Sequence, residues 1–220
     1  MSKLKTRKLF IWCTQEISLI MSRILITGYE PFDGFKINPS AELAKFLDGK
    51  HIVTNSIIGT VLSLDYSTAF GQFLEAFLDV SPDFVLCCGQ AGRAAISFER
   101  IAINAVGKKP DNEGNIPESD LIDSEGPAAY FSSIELDNIV ELLKAEGIPA
   151  YVSYHAGTYG CNWLLYKVLH YIHSQNLSTK ATFVHVPPLP TQAIDQDKMS
   201  LPTMPFETAK EAMEIVIKNL

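Results

Sequence analysis

The chain has 220 residues, of which 47% are hydrophobic and 20% charged, with a formal net charge of −7 at pH 7. One hydrophobic core can still grow at this length, so the composition predicts a single globular domain. The negative balance offers no basic footprint to nucleic acid or to an anionic membrane surface, and it excludes both as the main partner.

The segment "MSKLKTRKLFIWCTQEISLI" opens with basic residues, but Gln15 and Glu16 break its apolar part and no small-residue cleavage site follows. Residues 1–20 therefore read as an extension of unreadable role in front of one domain over residues 21–220. No stretch reaches the roughly 18 uninterrupted apolar residues of a membrane span. From Arg23 onward, strand-like and helix-like segments alternate. "RILITG" (23–28) is a buried-strand run, and in "NPSAELAKFL" Asn38 can cap a helix whose first turn accommodates Pro39. "HIVTNSIIGTVLSL" (51–64) predicts one or two strands. "STAFGQFLEAFLDV" (67–80) predicts a helix with Phe70, Phe73, Leu74, Phe77 and Leu78 on one face. "DFVLCCG" (83–89) and "ISFERIAINAV" (96–106) are extended. Residues 108–130 are polar, rich in Pro and Gly, and long for a connection, which marks a functional or mobile loop. A helix in "IELDNIVELLKAEG" (134–147), the strand "AYVSYH", a helix from Cys161 and the strand "ATFVHVP" (181–187) follow. A Pro-rich loop and the helix "FETAKEAMEIVIKNL" end the chain. Such alternation predicts an α/β sandwich with helices on both faces of a largely parallel sheet. Sites then collect beyond the carboxyl ends of strands, here after Thr27, after Gly89, before Cys161 and after His185.

Cysteines stand at 13, 87, 88 and 161, with no CxxC pair and no zinc-like spacing. Cys87 and Cys88 lie in an apolar run, where free Cys acts as a small core hydrophobe. The pattern argues against a disulfide framework and for a reducing, cytoplasmic setting. Cys161 differs from them. In "HAGTYGCNWLLY" it stands where a helix begins, beside unpaired backbone N–H groups and the positive end of the helix dipole. Both favour a thiolate nucleophile, and the same N–H groups can hold an oxyanion. The plainer alternative is a cysteine that fills space. A thiolate needs a base. His170 and His173 lie too far along the same helix, whereas His155, His51 and above all His185, near the carboxyl end of a strand, remain open. Glu99 is a charge beside a strongly apolar segment; a solvated carboxylate or an ion pair with Arg100 is its plainer reading. "GYEPFDGFK" (28–36) fails as a phosphate loop, because five residues separate its glycines and Phe35 stands where Lys is required. Its aromatics Tyr29 and Phe32 line a pocket or cap the core.

Four blocks, "ILITGYEPFDGFKINPS", "GQAGRAAISFERIAIN" with "PDNEGN", "HAGTYGCN" and "FVHVPPLPTQ", occur in one order over residues 22–220. Together they resemble the pyroglutamyl peptidase I family, also called pyrrolidone-carboxylate peptidases. The resemblance implies a single-domain three-layer sandwich of phosphorylase/hydrolase-like type with a mixed, mostly parallel sheet. It implies a Glu–Cys–His set at Glu99, Cys161 and His185, in which Glu99 orients His185 and favours its imidazolium form. The implied reaction is hydrolysis of the amide after an N-terminal pyroglutamyl residue, through a thioester. No metal or organic cofactor is implied. Phe32 and Tyr159 would sandwich the lactam, Tyr29 would add to the wall, and Asn38 and Gln90 would supply polar contacts, one to the lactam and one as a brace. Pyroglutamyl peptides are the implied partners, and a homotetramer the implied assembly.

The chain departs from the family pattern at Tyr29 and Asp33 in "YEPFDG", in the shortened "GQAGR", at Gly160 where many relatives carry valine, and at Lys108, the nearest substitute for an arginine before "PDNEGN". These departures leave two rivals. One is a cysteine hydrolase of another cyclic or N-blocked amide; the other is an inactive homologue that only binds pyroglutamyl peptides.

Overall fold

A computed structural model describes residues 21–220; the expected extension over 1–20, with Cys13, lies outside the described residues. The chain runs β1 (Arg23–Tyr29), α1 (Pro39–Leu47), β2 (His51–Ile52), β3 (Asn55–Leu62), α2 (Ala69–Val80), β4 (Phe84–Gln90), β5 (Ile96–Glu99) and β6 (Ile101–Ile103). It continues through β7 (Ala129–Phe131), α3 (Leu136–Ala145), β8 (Ala150–Ser153), α4 (Gly160–Ser174), β9 (Lys180–Val186), α5 (Pro190–Asp195) and α6 (Phe206–Lys218). Asn38 caps α1 as its sequence position predicts, its side chain accepting from the Ser40 N–H.

The main sheet has the order β2-β3-β1-β4-β9-β5-β8. Its centre is parallel, as the continuous apolar runs predict, but β5 pairs antiparallel with β9, and β8 follows β5 in parallel. With β2 antiparallel to β3 at the other edge, three strands run against the central four, and the sheet is mixed. One consequence touches the site. β8 ends at Ser153, so Cys161 is delivered by the start of α4 after the connection 154–159, not by the carboxyl end of a central strand.

Successive residues of the central strands enter opposite cores, the period-two rule of a sheet covered on both faces. Ile24, Ile26, Leu86, Cys88, Val184 and Val186 pack with α1, α3 and α6. Leu25, Val85, Cys87, Ala181 and Phe183 pack with α2 and α4 on the other side. Phe73 and Phe77 of α2 are buried there, but Leu78, expected on the same face, is 63% exposed. The 100° step per residue carries it past the edge of the apolar stripe.

The long connection after β6 is tied down rather than loose. Its end forms β7, antiparallel to β6. Asn104 Oδ1 accepts from the N–H groups of Ile122 and Asp123, and its Nδ2 donates to the carbonyls of Asp123 and Gly126. The buried Asp111 accepts from the N–H groups of Tyr66, Glu113 and Asn115. Asn162, wholly buried at the start of α4, accepts from the Ile103 N–H and donates to the carbonyls of Ile103 and Ala105. It thereby fixes the helix start against β6. No helix among the described residues is long and apolar enough to cross a membrane.

Asn162→Ala strands a buried N–H and two carbonyls. Urea unfolding is expected to show a loss of about 3 kcal/mol, from desolvation penalties of ~1–3 kcal/mol per orphaned group that relaxation offsets in part.

Candidate active site

Across the β5–β9 junction Ser97 stands opposite His185 and Glu99 opposite Phe183, so all four side chains share the face covered by α4. Glu99 is 0% exposed and His185 nearly so. A buried carboxylate is costly unless paired and hydrogen-bonded. Glu99 Oε1 lies 2.7 Å from His185 Nδ1 and accepts from Arg93 Nη1 at 2.7 Å and Ser97 Oγ at 3.2 Å. Arg100 is not its partner, since adjacent residues of an extended chain point to opposite faces; Arg100 pairs with Asp137 at 2.7 Å. Burial pushes the Glu99 carboxyl up, but the hydrogen bond and charge of His185, with Ser153 and the Arg93 charge, outweigh it and hold the group at about 2. Burial pushes His185 below the usual histidine range against the upward pull of Glu99, and the Arg93 charge adds to the lowering. His185 therefore rests neutral near pH 7, with Nδ1–H donated to Glu99 and Nε2 left as an acceptor. Glu99 is thus placed to orient the ring and to favour its imidazolium form whenever His185 takes up a proton.

Cys161 is the second residue of α4 and 9% exposed. Tyr159, in the capping position, makes no side-chain cap, so the first-turn N–H groups are not consumed as a Ser or Asp cap would consume them. The sulfur reaches the sheet because residue 89 is glycine: a Cβ there would lie 3.0 Å from Cys161 Sγ and 2.8 Å from the Phe183 ring. Gly89 is the register partner of His185, so the sulfur sits over the strand pair that carries the imidazole. Burial pushes the Cys161 thiol up to about 12 and the Glu99 charge adds to this; Arg93 and the backbone act the other way without overcoming it. The helix start thus does not yield a standing thiolate, as its position in sequence suggests. Desolvation wins because the thiol lies within the apolar core under α4.

Beside Cys161, Phe32 and Tyr159 face each other with ring centroids 6.4 Å apart, tilted by 54°. Tyr29 is buried and its hydroxyl donates to the Gly160 carbonyl at 2.9 Å, so it works as a strut under the helix start rather than as an open wall. Asn38 is spent on bracing its own loop, donating to the Glu30 carbonyl and accepting from Ser40. Gln90 is different. Gln192 Oε1 accepts from the Leu189 N–H, which turns Gln192 Nε2 toward the Ile37 carbonyl and Gln90 Oε1. That chain fixes the Gln90 amide with its oxygen toward Gln192 and its Nε2 without a protein acceptor among the described residues. Lys108 donates to the carbonyls of Pro117 and Glu118, away from the aromatic pair. The cation beside the pair is Lys109, 4.4 Å from the Tyr159 ring centroid and 2.7 Å from Asp33 Oδ2. Asp33 holds a left-handed φ of 54°.

Sequence reasoning singles out Glu99, Cys161 and His185, and the fold brings them together. It misses Arg93 and Gln192. For Arg93 a signal existed, because a buried Glu demands a cation and alternation rules out Arg100. Gln192 carries none: its role depends on a short helix, α5, inside a stretch that reads as Pro-rich loop. Among the described residues no group of three His, Cys, Asp or Glu side chains is arranged to hold a metal ion, and Cys87, Cys88 and Cys161 are free thiols.

The profile of the pyroglutamyl peptidase family matches residues 22–220. The pyrrolidone-carboxylate peptidase of Bacillus cereus is 40% identical over 200 residues, covering 90% of this chain and 92% of that protein. That of Pyrococcus furiosus is 39% identical over 206 residues, covering 90% and 99%. Among solved structures, the pyrrolidone carboxyl peptidase from Thermococcus litoralis superposes with a TM-score of 0.85 at 35% identity, covering 90% of this chain and 92% of that one.

Gly160 resolves in structural terms. A Cβ there would lie 2.5 Å from Leu64 Cδ1, so the leucine occupies the space a branched residue at 160 would need. Gly160→Val is expected to lower stability by ~1–3 kcal/mol through overpacking. Adding Leu64→Ala should recover most of the loss, measured by thermal unfolding and by KM of the two variants.

Proposed function

The chain belongs to the pyroglutamyl peptidase family, and we propose that Cys161, His185 and Glu99 hydrolyse the amide between an N-terminal pyroglutamyl residue and the rest of a peptide. The observation that carries this reading is the Glu99–His185 bond of 2.7 Å lying beside Cys161 at the uncapped start of α4. Cys161 Sγ attacks the pyroglutamyl carbonyl carbon while His185 Nε2 takes the thiol proton. The carbonyl oxygen becomes an oxyanion within reach of the first-turn N–H groups of α4. Collapse of this intermediate breaks the C–N bond, and His185 returns its proton to the leaving amine. Water, deprotonated by His185, then attacks the thioester, releases pyroglutamate and restores the thiol. Glu99 orients the ring throughout and stabilises the imidazolium formed in each half-reaction.

Because thiol and imidazole both rest neutral, the nucleophile is generated in the act of attack. Phe32 and Tyr159 bound the ring site, and the free Nε2 of Gln90 is the donor offered to the lactam carbonyl. A buried donor left unpaired by proline is the physical basis for rejecting prolyl substrates. Asn38 acts as brace. The free thiols suit a reducing, cytoplasmic setting. A tetrameric assembly follows from the resemblance, with light scattering as its measurement.

A panel of pyroglutamyl, prolyl and free-amino chromogenic amides should show turnover of the first alone. Equal turnover of all three would sink the pyroglutamyl reading in favour of a broader amidase. Cys161→Ala should abolish activity, and alkylation followed by mass spectrometry should label Cys161 ahead of the more deeply buried Cys87 and Cys88.

The pH profile follows from the site's charges. His185 must be neutral to accept the thiol proton and its pKa lies below the usual value, so kcat/KM should fall only as pH drops below about 6.5. Cys161 does not ionise until about 12, so no alkaline limb should appear near pH 8 or 9. A limb there would point to a standing thiolate–imidazolium pair.

A further inference from the structure

Arg93 lies in the connection 91–95 between β4 and β5 and reaches behind His185. Its Nη1 donates to Glu99 Oε1 at 2.7 Å and to Ser97 Oγ at 2.5 Å, and its Nη2 to the His155 carbonyl at 3.1 Å. Exposed ion pairs contribute little, but this pair is of another kind. The acceptor is 0% exposed, and the guanidinium side chain, 28% exposed, is held by β5 on one side and by the β8–α4 connection on the other.

A carboxylate cut off from water must be balanced by a nearby positive charge. If His185 were the only partner of Glu99, that charge would fall to the imidazole, and a ring resting as imidazolium has no place for the thiol proton. Arginine does not give up its proton. With the guanidinium in place the buried charge is already balanced, and the imidazole enters each cycle as a base. We propose that Arg93 is a positioning residue of the hydrolysis: it neutralises and anchors Glu99, so that the carboxylate orients His185 without drawing a proton onto it. This rests on the assignment of Cys161, His185 and Glu99 to the reaction.

The other groups around the Glu99–His185 dyad do not supply this charge. Cys87 on β4 and Tyr29 on β1 are buried and have raised pKa values, as do Tyr66 before α2 and Tyr159 before α4, so all four are neutral near pH 7. Ser97 on β5 is uncharged. His155 meets the guanidinium through its backbone carbonyl, while its Nδ1 accepts from the Gly157 N–H. Lys109 is engaged with Asp33 at the aromatic pair. Arg93 is the cation bonded to Glu99.

Removing a fixed positive charge makes protonation of the dyad easier at both of its steps, whichever residue each step is assigned to. The test compares full-length wild type, Arg93→Met and Arg93→Lys in two measurements. One is kcat/KM against pH with a pyroglutamyl chromogenic amide; the other is the rate of iodoacetamide alkylation at Cys161 at about pH 9, read by mass spectrometry, which needs no turnover. In Arg93→Met the acidic limb of kcat/KM should rise by about one pH unit, the smaller end of the effect of a unit charge at this range, and the alkylation rate at about pH 9 should fall about tenfold. Arg93→Lys should return the acidic limb most of the way. A folded Arg93→Met enzyme with reduced kcat/KM but an unmoved limb and an unchanged alkylation rate would make Arg93 a structural brace and overturn the proposal. If Arg93→Met is not recovered folded, Arg93→Gln, which keeps hydrogen bonding without the charge, is read by the same two outcomes. Activity in Cys161→Ala would instead defeat the triad assignment, a result independent of where the limbs lie.

Discussion

The site depends on one carboxylate held out of water. Glu99 sits at the junction where the parallel centre of the sheet gives way to antiparallel β5, and burial there is complete. A charge in that place is tolerable only if its donors are supplied by the fold itself, and three of them gather on one oxygen: His185, Arg93 and Ser97. Removing Arg93 would leave the buried charge unpaired, at the usual cost of about 3–5 kcal/mol for breaking such a pair, whereas losing His185 or Ser97 would remove a hydrogen bond. The electrostatics of catalysis and the stability of the junction are therefore one problem. The antiparallel register sets Ser97 against His185, placing the carboxylate two residues further along the same face.

Around that junction, close approaches replace the side chains that would otherwise intervene. Gly89 lets the Cys161 sulfur reach the strand pair, and Tyr29 supports the helix start from below through the Gly160 carbonyl. Asn162 anchors the same turn sideways to β6. The nucleophile is fixed by packing on three sides while its own N–H groups are left uncapped, the arrangement a preorganised oxyanion site requires. Its cost is a thiol raised to about 12 by the same packing, so that in the proposed reaction the work of activation falls to His185.

Much of the architecture can be read from pattern. The continuous apolar runs at 23–28 and 83–89 are central strands because both of their faces are covered. Asn38 caps α1 because Asn followed by Pro leaves the chain few other choices. Period fails where the partner is remote. Leu78 stands at the edge of the apolar stripe of α2, and nothing among the described residues packs over that edge to take it out of solvent. The direction of β5 is invisible in "ISFE", since a four-residue strand carries no mark of which neighbour it will meet. Lys108 and Lys109 are adjacent in the chain, and only the path of the loop decides that the second one faces the aromatic pair.

By itself the sequence determines the alternating α/β order, the helix start beneath Cys161 and, through four motif blocks, the family and the three residues proposed to react. These are local or motif-borne properties, written in neighbouring residues. Tertiary structure alone decides the charge states. Whether Cys161 rests as thiol or thiolate, and His185 as base or acid, depends on burial and on Arg93 meeting Glu99 across a bend between strands. It likewise decides that Asn38 is a brace while Gln90 keeps a free donor, because that difference is made by Gln192, 102 positions away from Gln90 in the chain. Desolvation and long-range hydrogen bonds arise only when remote segments close on one another, so no stretch of sequence contains them.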